Sequence, residues 1–174
     1  CNKLVVNTDL KGVELLLPAP YGKSSSDIKS LQLVGQLGIN DPVWRFNLNN
    51  QLRGVTKMMG DLAGTRIFLG DTRPQEPSTP GVWVEGRQGT IDLDELSALL
   101  KRNEWVSGAS ADPAQTQSQT SNAPVTVSLM IDQVLYENMR LPRVNVVYHL
   151  PVNGRATIGV ISPVVTGDIK IPED

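Results

Sequence analysis

Alternation with a period of two dominates this chain and narrows its fold more than any other feature. Leu31, Leu33 and Leu37 share one side of Leu31-Gln32-Leu33-Val34-Gly35-Gln36-Leu37. Trp44, Phe46 and Leu48 do the same in 43–49. Val125, Val127, Leu129 and Ile131 do so in 125–131, and Val144, Val146, Tyr148 and Leu150 in 143–150. Successive strand side chains point to opposite sides, so each segment has one apolar and one wet face. One-sided burial of this kind is the mark of antiparallel sheets, since buried parallel strands read as apolar throughout. Further strands are expected at 3–9, 12–17, 51–58, 65–70, 81–87, 155–162 and 164–171.

The connections are short. Gly38 to Pro42 separates two strands, Asn49-Asn50 suits a tight hairpin turn, and Asn153-Gly154 carries the strongest short hairpin signal. Strands 143–150 and 155–162 are therefore expected to pair directly. One helix is expected. Asp92 stands three residues before Glu95 as in a capping box, and Leu93, Leu96, Leu99 and Leu100 fall on one helical face. Lys101 and Arg102 lie where the helix dipole favours cations. Such a short helix is marginal alone, so it should pack on the sheet.

Asp71 to Pro80 holds three prolines and little apolar content. Residues 107–124 are rich in Ala, Ser, Gln and Thr with one charge, Asp112, and read as a flexible polar loop. This loop splits the chain into 1–106 and 125–174, and the second piece has too few strands for a core of its own. The two are expected to share one sheet in a single β-rich segment, 1–174. With Cys1 first and strand-like sequence at both ends, the chain reads as part of a longer polypeptide. The rival reading of Cys1 is the lipid-modified first residue of a lipoprotein.

Composition excludes several function classes. With 16 basic and 18 acidic residues, the chain lacks the electrostatic footprint of a nucleic-acid binder. One Cys and one His rule out an internal disulfide, a four-cysteine zinc site and paired-histidine chemistry. His149 sits on the polar side of a strand without a local orienting partner, which general-base work needs. Ser24 to Ser26 and Ser107-Gly108 lack the strand–turn–helix context of a nucleophile. Asp92 and Asp94 have no further ligands after them, and Gly35 to Gly38 has no helix after it to form a phosphate loop. Neither enzyme activity nor a cofactor or metal is expected. Basic residues are scattered along the sequence (Lys11, Lys23, Lys29, Arg45, Arg53, Lys57, Arg66), and the aromatics are too few for a stacking platform.

What remains is an aliphatic surface of unusual extent: Leu, Ile, Val and Phe make up 50 of 174 residues, with one helix to cover them. The shared alternation predicts that Leu31, Leu33, Trp44, Phe46, Val82, Val84, Val127, Leu129, Val144 and Val146 lie on one side of one sheet. That side either forms a plain core beneath the helix or stays partly open to touch something apolar.

The run Asp9-Leu10-Lys11-Gly12 to Leu17-Pro18-Ala19-Pro20-Tyr21-Gly22-Lys23 resembles a stretch of the AsmA-like family of Gram-negative envelope proteins. Pro80 to Gly86, the segment 91–101, Val125 to Ile131 and Leu141 to Val146 follow in a similar order. The resemblance implies a mainly β fold: an elongated, twisted antiparallel sheet, gutter-like, with one short amphipathic helix packed on it. It also implies a periplasmic segment of an inner-membrane-anchored protein that helps move phospholipid toward the outer membrane and keeps that membrane impermeable. The ten residues named above then become lipid-contact candidates. The implied partners are phospholipid acyl chains and adjacent segments of the same full-length chain. The alternative reading is a periplasmic β-sandwich that recognises protein or glycan.

Overall fold

The structure, a computed structural model, describes residues 2–17, 19–37, 40–94, 123–152 and 155–170. All ten described strands belong to one sheet in which spatial order follows chain order. They are β1 (Asn2–Thr8), β2 (Leu31–Leu37), β3 (Val43–Leu48), β4 (Leu52–Met59), β5 (Leu62–Leu69), β6 (Gly81–Asp92), β7 (Val125–Tyr136), β8 (Met139–Leu150), β9 (Thr157–Ile161) and β10 (Thr166–Lys170). Among the described strands, β1 and β10 lie at the two edges of the sheet.

The β3–β4 hairpin turns on Asn49 and Asn50 at φ 49° and 57°, the left-handed pair that a two-strand reversal requires. β8 and β9 pair directly, as expected; Asn153-Gly154, the hairpin signal behind that expectation, lies outside the described residues.

The sheet is mixed, which corrects the expectation of an antiparallel one. β5–β6 and β6–β7 are parallel pairs. The Pro-rich segment after β5 is the reason for the first. It crosses the sheet and returns the chain to the end where β5 began. Pro77 is fully buried, and a Cβ on Gly64 would strike Pro77 and the Thr79 carbonyl. Val55 and Val43, 0% and 3% exposed, lie on the same side as Gly64. The segment that reads as punctuation therefore covers one face of β3–β5.

The short helix expected on the sheet is not among the described elements. β6 continues through Asp92, which pairs with Leu135 as a strand residue, because β7 supplies a ladder partner that far. Asp92 Oδ1 does accept the Asp94 amide at 2.9 Å, as a cap would. The rest of the expected helix, 95–102, lies outside the described residues, as does most of the polar loop, 107–122. Residues 12–17 form no strand. They contribute one bridge, Leu15 to Lys23, within the long β1–β2 connection.

β7 and β8 extend beyond the expected segments, through residues 132–142. Their ladder is interrupted at Asp132 and Arg143, where Arg143 has φ 50°. Around this interruption Ile131, Val134 and Val144 form a buried cluster, against which Ile91, Leu129, Leu141, Val146 and Val160 pack.

Candidate functional site

Side chains of directly paired residues project to the same side of a sheet. The registers therefore trace rows of side chains from strand to strand. One row runs Val6, Leu33, Phe46, Gly54, Ile67, Val84, Val127, Tyr148, Ile158, from β1 to β9 without a charged residue. Its neighbour runs Leu31, Leu48, Leu52, Leu69, Gly86, Leu129, Val146, Val160. At ~4.8 Å per strand, the two rows span roughly 38 and 34 Å. All ten residues singled out from the alternation lie on this one face: Leu31, Leu33, Trp44, Phe46, Val82, Val84, Val127, Leu129, Val144 and Val146. Val144 is buried and the other nine are half-buried. Polar interruptions are few. Thr56 and Thr65 are paired neighbours whose hydroxyls bond each other at 3.1 Å.

Two aromatics in this face lie down along it. The Trp44 ring occupies the space above Gly35, and the Phe46 ring the space above Gly54, each glycine being the ring's directly paired neighbour. The glycines thereby keep the rings low on the sheet.

The β1–β2 connection forms a strap along one rim of this face. It is organised by Lys23, 7% exposed, whose Nζ donates to the carbonyls of Leu10 and Ser24 at 2.8 Å and to that of Val13. Lys29 Nζ donates to the carbonyls of Gly22 and Pro20, and burial pushes its ammonium pKa down. The strap presents Tyr21, whose hydroxyl donates to Gln88 Oε1 at 2.7 Å; Gln88 lies on the apolar face of β6. Burial raises the Tyr21 pKa. An open cavity of about 490 Å³ separates the strap from the β3–β4 turn, Gly70 and residues 87–90. Sequence reading missed these roles of Tyr21, Lys23 and Gln88. The signal was the motif 9–23 itself: its lysine and tyrosine build the rim.

The opposite face is basic. Arg45, Arg53, Lys57 and Arg66, scattered in sequence, all project there. Arg66 sits 5.6 Å from the Trp83 ring centroid. His149 is exposed on this side, its Nδ1 3.1 Å from the Thr126 hydroxyl. Among the described residues no cluster of His, Cys, Asp or Glu could hold a metal ion, and no helix is long and apolar enough to cross a membrane.

Compared with known proteins, the chain matches the family model described as YhdP protein over residues 2–174. No curated protein and no solved structure matches it.

Proposed function

The chain belongs to the YhdP family, and on that premise we propose that its apolar face is a stretch of groove along which phospholipid acyl chains pass between the inner and outer membranes. The observation that carries this reading is the direction of the apolar rows. They run across the strands, from one edge of the described sheet toward the other. Further strands added at β1 or β10 would lengthen the same rows, so adjacent segments of a longer chain would extend the groove without a break. Unpaired strand edges are ready templates for such pairing.

The physical requirements agree. An acyl chain gains about 0.8 kcal/mol per CH₂ removed from water and needs no specific polar partner. A conduit therefore calls for a continuous aliphatic lining without a deep pocket that would arrest the chain. The low-lying rings of Trp44 and Phe46 fit that need. On this reading the segment stands in the periplasm as part of an inner-membrane-anchored protein, serves the outer-membrane permeability barrier and performs no catalytic step. The alternative of a β-sandwich calls for a second sheet, and all described strands belong to one.

A charge on the lining tests the proposal. Val127→Asp is preferred to Leu129→Asp, because Leu129 packs against the buried cluster. On an open, hydrated face the carboxylate stays solvated. In a sealed core it would cost more than the roughly 2–7 kcal/mol of a neutral polar group buried without a partner. The variant is expected to keep the thermal midpoint of the protein within a few degrees and to make the envelope leaky when carried in the full-length chain. A folded variant with an intact permeability barrier would contradict the reading.

A further inference from the structure

We propose that the basic face carries a binding pocket for a phosphate-bearing small molecule, held by Arg53 and Arg73. The pocket, about 440 Å³, opens where β2–β4 pass beneath the start of the Pro-rich crossover. Its polar lining is Gln32, Arg45, Asn47, Asn50, Arg53 and Arg73. The one carboxylate paired there among the described residues, Glu76, is engaged by Arg45. Arg53 spends its Nη atoms on neutral acceptors, the Asp71 carbonyl and Asn50 Oδ1 at 3.2 Å. It makes neither of the ion pairs found among the described residues, and its Nε is buried without an acceptor. Arg73 is exposed and takes part in neither ion pair found among the described residues.

Two guanidiniums without a carboxylate partner among the described residues ask for an anion with several acceptor oxygens. The guanidinium fork matches phosphate geometry with paired hydrogen bonds. The amide groups add to this: Asn47 Nδ2 donates to Asn50 Oδ1 and Gln32 Nε2 to Asn7 Oδ1, and each NH₂ keeps a second hydrogen. A pocket of this size holds a phosphate with a small polar group attached, and is too small for a nucleic-acid strand. The sheet separates it from the apolar face, so a lipid with its tails in the groove cannot place its headgroup here. The ligand is accordingly a soluble phosphate ester, and the assignment stands whether or not the groove carries lipid.

Isothermal titration of the intact protein with glycerol 3-phosphate and with inorganic phosphate, at fixed ionic strength, tests this directly. Saturable binding is expected, weakened roughly tenfold in Arg73→Gln through the loss of one charge-assisted contact. Arg53→Gln is expected to weaken it similarly. Arg73→Gln is the decisive variant, because that side chain is exposed and its loss leaves the fold intact. Absence of saturable binding, or unchanged binding by Arg73→Gln, overturns the proposal. Binding to phosphatidylglycerol vesicles without binding to glycerol phosphate overturns it as well, and assigns the arginines to a lipid surface.

Discussion

The Phe46 ring fills the space in which a Cβ on Gly54, its directly paired neighbour on β4, would stand. An aromatic covering a cross-strand glycine recovers the packing that the missing side chain forgoes. Here it also keeps a large ring from standing up into the apolar face.

That pairing yields a double-mutant cycle. Gly54→Ala is expected to destabilise by about 1–3 kcal/mol, since the added methyl displaces the ring. In a Phe46→Ala background the same change should cost much less, because the obstruction is gone. Urea denaturation of the four proteins measures both. Additive effects would mean that the ring does not lie over the glycine.

The alternation made the two faces legible. Each of the ten candidate residues could be placed from its own strand, and the registers then aligned them. The connectivity was not legible, because alternation is the same for parallel and antiparallel neighbours exposed on one side. Only the crossover through Pro77 decides that β5 and β6 run parallel. The extensions of β7 and β8 were hidden because Asp132, Gln133, Pro142 and Arg143 break the pattern where the ladder itself is interrupted. Leu15 to Leu17 read as a strand from their apolar character. Their backbone is instead drawn into the strap, where Leu15 pairs with Lys23.

The strap depends on a buried cation. Lys23→Met would leave the carbonyls of Leu10, Val13 and Ser24 without their shared donor. Hydrogen bonds to a charged group contribute about 1.5–3 kcal/mol each, so losing three is expected to cost roughly 4 kcal/mol or more, confined to the strap. Hydrogen exchange should show faster exchange at the Gly12, Leu15 and Lys23 amides, which bond within the strap, and no change across β4. Uniform protection in both regions would refute the role of Lys23.

The Tyr21–Gln88 contact predicts a pH dependence. Burial raises the Tyr21 pKa above its ordinary value near 10, so the folded protein holds this proton more tightly than the unfolded chain does. The corresponding stability is fully present below the unfolded pKa, about 10, and is lost as pH rises through the folded one. Stability measured from pH 9 upward should therefore fall more steeply for the wild type than for Tyr21→Phe. Parallel curves would show that the hydroxyl is not buried against Gln88.

If acyl chains contact one face of the sheet and not the other, site-specific photo-crosslinking in the full-length protein will separate the two faces. A photoreactive residue replaces Val84 or Val127 on the apolar face, or Glu85 or Ser128 on the opposite face. Adducts are then identified by mass spectrometry after illumination of living cells. Phospholipid adducts are expected at Val84 and Val127 and none at Glu85 and Ser128. Adducts of equal yield on both faces, or none on the apolar face of a folded and functional protein, would contradict the proposed contact.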